Sequence, residues 1–411
     1  MKPTKILLLA ATMLAPVSFV SAQTWTQTGA PDLGWGSVTI SADGTKLAAI
    51  AGSGLQWNVI WNSTNSGITW TSNSIQSLSP AGRFTAVAMS ASGEKQAAVA
   101  NANAIYTSTN YGATWASNSV PSQPWFKIAS SADGIKLVAA PGSAGNGSIY
   151  FSTDSGQTWT RANAPDTNWV SVASSANGSN WVASVEAYSP PGGSIYTSTN
   201  CGLDWTLTAA PNLQWLSVAS SADGTKLLAA GTGESDTTGH AYIYTSTNSG
   251  ATWISNVVPN AFWSSVASSA DGRTLAVAAI FDLYGGPGFI YTSTNSGVAW
   301  ISNSVPSQSW HGIALSADGG TLVAAGSSSF SSGGIYILQT APAPELNILH
   351  STSNLSLSWL IPSTNFVVQQ SSNLASWTDL TNPPALNLTN LQNEVTLSPS
   401  NCSSFYRLKT P

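Results

Sequence analysis

The sequence predicts an all-β protein: a seven-bladed β-propeller closed by its N-terminal strand, followed by a small C-terminal β-sandwich. Three observations carry this expectation. First, the phrase Ser-Thr-Asn/Asp-x-Gly-x-x-Trp occurs six times, at residues 63–70, 108–115, 152–159, 198–205, 246–253 and 293–300. Its tryptophans recur about every 44 to 48 residues, which suits a four-stranded blade and is too long for leucine-rich or ankyrin units. Second, a tight turn recurs once more than the phrase does, as Asp43-Gly44, Ser92-Gly93, Asp133-Gly134, Asn177-Gly178, Asp223-Gly224, Asp271-Gly272 and Asp318-Gly319. Third, Thr24-Trp25-Thr26-Gln27 followed by Ala30-Pro31 copies the piece that follows a phrase, as in Thr158-Trp159-Thr160-Arg161 and Ala164-Pro165.

The first element is a leader. Lys2 and Lys5 precede an apolar stretch over residues 6–20, and Val20-Ser21-Ala22 places small residues where a signal peptidase inspects them, so 1–22 reads as a signal peptide cleaved after Ala22. The apolar stretch is about 15 residues where a membrane span needs about 20, and Pro16 interrupts it. No later run is long enough to span a bilayer, so the expected location is secreted, periplasmic or cell-surface.

The propeller is expected over 23–340. Its fifth unit shows the grammar of a blade: Trp215-Leu216-Ser217-Val218-Ala219 alternates, Ala222-Asp223-Gly224 turns, and 226–230 returns as a second strand. After a polar loop, Tyr242-Ile243-Tyr244-Thr245 forms the third strand, Asn248-Ser249-Gly250 turns, and Trp253-Ile254-Ser255 begins the fourth. The last unit ends after Ile335-Tyr336-Ile337 without a phrase. The segment around Trp25 is therefore expected to pair there and close the ring, removing two open sheet edges.

Ala341-Pro342-Ala343-Pro344 opens a linker over 341–345. Beyond it, over 346–411, Leu355-Ser356-Leu357-Ser358-Trp359, Phe366-Val367-Val368-Gln369-Gln370, Glu394-Val395-Thr396-Leu397 and Phe405-Tyr406-Arg407-Leu408 alternate as strands of a small antiparallel sandwich.

The chain has 411 residues, 42% hydrophobic and only 7% charged, with a net charge of -5. Its 12 Lys plus Arg form no basic stripe, which argues against a nucleic-acid partner. Cys201 and Cys402 fall in different expected domains, where a bridge would need the domains to dock, so two unpaired thiols are expected. His240, His311 and His350 are scattered without ligand spacing, so no metal or cofactor site is expected. The sequons beginning at Asn62, Asn146, Asn177, Asn354 and Asn387 matter only in a glycosylating host.

The repeated phrase resembles the Asp-box, or BNR repeat, of sialidases, sortilin-type receptors, xyloglucanases and propeller-type photosystem II assembly factors. Only Asp154 keeps the acid of that motif; Asn65, Asn110, Asn200, Asn248 and Asn295 replace it. Asn still hydrogen-bonds a turn backbone, so the phrase is expected to be a structural staple. The tail resembles immunoglobulin-like or fibronectin-like modules of exported bacterial proteins, which serve as spacers or tethers. Resemblance to sialidases implies three arginines around a substrate carboxylate. The propeller has only Arg83, Arg161 and Arg273, the last in a turn on the wrong face, so that set is not carried over.

Propeller ligands meet the face made by the loops from strand two to three and from strand four to the next blade. There Glu186, Glu234, Asp236 and Asp282 are expected, with Tyr188, His240 and Tyr284 beside them, as a ligand-binding set. Paired carboxylates suit glycoside hydrolysis, and tyrosine rings stack on sugars. The leading expectation is an exported, monomeric, non-enzymatic propeller binding a protein or a glycan, because near-identical blades leave little room for an asymmetric catalytic centre. A glycosidase using the loop carboxylates is the alternative. A photosystem-type assembly factor is a further one, by fold analogy.

Overall fold

The computed structural model describes residues 25–51, 58–75, 82–101, 104–142, 147–186, 192–232, 241–259, 261–282, 285–328, 332–339, 346–350, 354–360, 367–372, 376–380, 384–387, 392–397 and 405–409. The expected leader and the 341–345 linker lie outside them.

Among the described residues, 25–339 form seven four-stranded antiparallel sheets. Blade 1 consists of Trp35–Ile40, Leu47–Ala51, Val59–Ser63 and Thr71–Ser74. Blades 2 to 6 repeat that order, with inner strands Phe84–Met89, Trp125–Ser130, Trp169–Ser174, Gln214–Ser220 and Ala261–Ser268. Blade 7 takes Ser309–Leu315, Thr321–Ser327 and Ile335–Gln339 from the end of this region, and its fourth strand, Trp25–Gln27, from the start. The register is Trp25↔Leu338, Thr26↔Ile337 and Gln27↔Tyr336, and the Thr28 N–H donates to the Ile335 carbonyl at 2.9 Å.

Between each pair of neighbouring blades lies one apolar core. For example, Ala48, Ile50 and Ile60 of blade 1 meet Phe84, Val87 and Tyr106 of blade 2. Trp35, Val38 and Leu47 of blade 1 meet Val323, Ala325 and Ile335 of blade 7, so the first and last blades pack as any other pair does. Small second-strand residues such as Ala48, Ala98 and Ala229 are fully buried, which allows the close approach that a ring of sheets requires.

The first-hairpin turns close the ring a second time. Ala42 donates its N–H to the Ala91 carbonyl, Ala91 to Ala132, Ala132 to Ala176, Ala176 to Ala222, Ala222 to Ala270, Ala270 to Ala317, and Ala317 back to Ala42, all at 2.7 to 3.0 Å. A circle of backbone bonds thus satisfies polar groups on the axis that no strand ladder reaches. Each turn carries its own staple: the buried Ser221 Oγ accepts the Lys226 N–H at 3.0 Å and donates to the Asp223 carboxylate at 2.6 Å. Glycine is required after the Asp, Asn or Ser of each turn for two reasons, which the Ser92-Gly93 turn shows. At Gly93 φ is +75°, and a Cβ would stand 2.7 Å from the Lys46 Cβ of the preceding blade.

These turns titrate in opposite directions. Burial raises the Asp43 carboxyl, but hydrogen bonds from Ser41 and Thr45 and the nearby Lys46 outweigh it, holding Asp43 below the ordinary range. At Asp318 burial prevails, helped by the charge of Asp271, and the carboxyl is raised. The Asp43 contribution is therefore present above the unfolded-state value and lost as pH falls through the lower folded one. The Asp318 contribution favours the fold only in acid and is lost as pH rises through its higher folded value. Asn177 occupies the same turn position in blade 4 and keeps the serine bond, from Ser175 at 2.9 Å. Asp318→Asn is thus expected to raise the thermal midpoint at pH 7 by about one to three degrees, with the gain vanishing by about pH 3. Calorimetry across pH checks this, and a midpoint lowered at pH 7 contradicts it.

The repeated phrase forms a second staple at the same end of blades 1 to 6. Ser63 Oγ accepts the Gly67 N–H at 2.9 Å and donates to Asn65 Oδ1 at 3.0 Å; Asn65 Oδ1 accepts the Thr69 N–H at 2.9 Å. Exchange of Asn for Asp reverses a single bond. Asn65 Nδ2 donates to the Thr69 hydroxyl, whereas Asp154 accepts from the Thr158 hydroxyl at 2.6 Å. The residue before the glycine is also left-handed, with φ between +56° and +63° at Ser66, Tyr111, Ser155, Cys201, Ser249 and Ser296. The turn therefore needs two consecutive positive φ values, one more than glycine placement alone suggests.

In the tail, Asn347–His350, Leu355–Leu360, Gln392–Leu397 and Ala385–Asn387 form one sheet, and Thr378–Asp379, Val367–Ser371 and Phe405–Lys409 another. Leu357, Trp359 and Val395 of the first share a core with Val368 of the second, against which Tyr406 packs.

Candidate functional site

Each inner strand carries a large ring within its first three residues. Trp35, Phe84, Trp125, Trp169, Trp215, Trp263 and Trp310 are all buried between blades. The residue after each ring interrupts the ladder to the second strand, because register shifts occur at Trp35/Ser37, Phe84/Ala86, Trp125/Lys127, Trp169/Ser171, Trp215/Ser217, Trp263/Ser265 and Trp310/Gly312. A bulge unpairs one residue and re-aims its side chain. All seven unpaired residues, Gly36, Thr85, Phe126, Val170, Leu216, Ser264 and His311, line one cavity of about 730 Å³ on the axis. This mouth opens at the end of the blades opposite the staples, since the inner strands start here and end at the alanine circle.

The lining is asymmetric. Arg83 and Lys127 of blades 2 and 3 supply positive charge, Leu216 and Ile280 of blades 5 and 6 are apolar, and Glu186 is the one carboxylate among the described lining residues. Lys127 Nζ sits 5.5 Å from the centre of the Phe126 ring, and enclosure by the blades pushes its ammonium below the ordinary lysine range. His311 Nε2 is 2.9 Å from Ser327 Oγ, and burial holds its imidazole below the usual value, so it is neutral at pH 7.

Glu186 directly follows the second strand of blade 4, Trp181–Val185, and is only 8% exposed. Its N–H donates to the Asn168 carbonyl at 3.0 Å, and its Oε1 accepts from Gln214 Nε2 at 3.1 Å. Gln214 Oε1 in turn accepts from the Thr232 hydroxyl at 3.0 Å. The network fixes the carboxylate across the boundary between blades 4 and 5. Two bulge hydroxyls are likewise committed to the scaffold: Thr85 donates to the Trp125 carbonyl at 3.0 Å and Ser264 to that of Trp310 at 2.6 Å.

Of the seven residues expected to bind ligand, Glu186 reaches the mouth. Asp282 is the last residue of strand Leu275–Asp282, opposite Ala261, rather than a loop residue. Tyr188, Glu234, Asp236, His240 and Tyr284 lie outside the described residues. Lys127, His311, Phe126 and Leu216 were not anticipated, although each stands at or next to the position after an inner-strand tryptophan. The arginines do not converge. Arg83 lines the mouth, Arg161 pairs with Asp166 at 2.8 Å, and Arg273 follows Gly272 in the turn at the far end.

Among the described residues no three His, Cys, Asp or Glu side chains are grouped to hold a metal ion. Cys201 is a free thiol in its turn, and Cys402 lies outside the described residues. No helix of the described residues is long and apolar enough to cross a membrane.

No protein-family model matches the chain, and no curated protein sequence does. Solved structures do. Hydrazine synthase of Kuenenia stuttgartiensis is similar with a TM-score of 0.60 and 13% identity, over 79% of this chain and 99% of that one. The fold is that of the β-propellers. YCF48 from Cyanidioschyzon merolae is similar with a TM-score of 0.57 and 14% identity, over 77% of this chain and 98% of that one. YCF48 bound to a D1 peptide gives a TM-score of 0.56 and 16% identity, over 78% and 97%. At these identities the likeness concerns the β-propeller architecture alone.

Proposed function

We propose that the chain is an exported, non-catalytic β-propeller that captures a protein segment or a glycan at the mouth formed by its seven bulges. The repeated phrase acts in it as a structural staple of the Asp-box kind, and the tail module as a spacer or tether. The observation that carries this reading is the state of Glu186. The one described carboxylate of the mouth is buried and held by Gln214, and no described lining residue supplies the opposed carboxyl group that glycoside hydrolysis needs. A mouth with cations on one wall and aliphatic side chains on the other suits binding of a mixed surface. The propeller YCF48 has been solved with a peptide, which favours a protein segment over a glycan.

The test is capture of peptides and polysaccharides by the full chain on arrays, alongside hydrolysis assays with polysaccharides and chromogenic glycosides. Leu216→Asp, in the mouth and away from the interblade cores, is expected to reduce capture about tenfold or more without lowering the thermal midpoint. Turnover of any glycoside that Glu186→Gln abolishes would contradict the reading, as would capture indifferent to Leu216→Asp.

A further inference from the structure

Blade 6 departs from its copies where it meets the mouth. Its inner hairpin strands, Ala261–Ser268 and Leu275–Asp282, are both eight residues long, against six or seven and five to seven in the other blades. At about 3.3 Å per residue the hairpin stands some 3–7 Å beyond those of blades 5 and 7 beside it. It also carries a second register shift, between Ala261 and Trp263, opposite the extra residues Ile280 and Phe281. The shift frees Phe262 and Phe281 from the ladder on one tip, with ring centres 4.6 Å apart and planes inclined by 47°. They are 39% and 37% exposed, and Pro287, which bridges Phe281, is exposed as well.

Nothing in the repeat explains this pair. The residue before the inner ring is Gly34, Arg83, Pro124, Asn168, Gln214 or Ser309 in the other blades. Two exposed phenylalanines on a protruding tip form an apolar patch of the kind that marks an interaction site. The tip is continuous with the mouth, since Trp263, Ser264 and Ile280 line it.

We infer that the exposed Phe262–Phe281 pair is a subsite for a bulky aliphatic or aromatic side chain of an extended peptide whose neighbouring residues enter the mouth. The inference rests on the proposed binding function and deepens it by naming the occupant. Stacked sugars need hydrogen-bonding groups beside the ring, whereas the side chains of Phe262, Phe281 and Pro287 present only carbon. Aromatic side chains act as anchors in protein interfaces.

The experiment is selection of twelve-residue displayed peptides on the full chain, with binding re-measured on Phe262→Ser/Phe281→Ser and on Phe262→Leu/Phe281→Leu, and a polysaccharide array in parallel. Selected peptides are expected to share one large apolar residue, to lose about tenfold or more in affinity on the serine variant, and to keep most of it on the leucine variant. Equal thermal midpoints show that both variants fold. Peptides sensitive to Leu216→Asp but indifferent to the serine variant overturn the phenylalanine subsite and leave the mouth standing. Polysaccharide capture that depends on the two phenylalanines overturns the peptide occupant. Absence of any captured peptide or polysaccharide overturns both the subsite and the mouth.

Discussion

Deletion of residues 25–27 is expected to lower the stability of the propeller by more than about 4 kcal/mol and to leave it prone to self-association. Three losses combine. The ladder to Leu338, Ile337 and Tyr336 disappears, Trp25 no longer stacks on Trp310 at 6.2 Å, and Ile335–Gln339 becomes an open edge. Trp25 stands to Trp310 as Trp205 stands to Trp169 and Trp253 to Trp215, at 6.1 and 6.5 Å, so the N-terminal segment supplies the ring that blade 7 otherwise lacks. Thermal unfolding with size-exclusion chromatography reads the effect. An unchanged midpoint in a monomeric sample would show that the N-terminal strand is dispensable.

Trp310→Ala should cost about 3–5 kcal/mol, among the largest effects of any point substitution here. The side chain is fully buried in the core shared by blades 6 and 7, with Ala276, Ile290 and Leu322, and also packs edge-on against Tyr336 at 5.8 Å. Removing it hollows the interface that holds the closing blade and loosens the bulge that aims His311 at the mouth. Chemical denaturation monitored by tryptophan fluorescence measures the change. A loss below about 1 kcal/mol would mean that blades 6 and 7 do not depend on this core.

The ring was legible because its determinants are local and repeated. A turn needs glycine at positive φ, an outer strand needs its tryptophan, and both signals recur at blade spacing, down to the displaced copy around Trp25. The alanine circle was not legible, since it joins residues some 45 apart through backbone atoms that carry no side-chain signature. The mouth was hidden for a different reason. A single unpaired residue shifts the strand alternation without changing composition, so Lys127, His311 and Leu216 read as ordinary strand residues. Glu186 was expected on that face because it follows the second strand of its blade, as Glu234, Asp236 and Asp282 were expected to follow theirs. The phenylalanine pair requires knowing that two strands of blade 6 lengthen together, which only the pairing reveals.

Closure of the propeller by its own N-terminus is the claim on which the position of the mouth depends, and native-state hydrogen exchange over residues 24–30 tests it most directly. Protection of the amides of Thr26 and Thr28, the two that point into the ladder with Ile335–Gln339, to the level of that strand is the predicted result. Exchange of those amides at the rate of an unstructured chain, while Ile335–Gln339 stays protected, would contradict it.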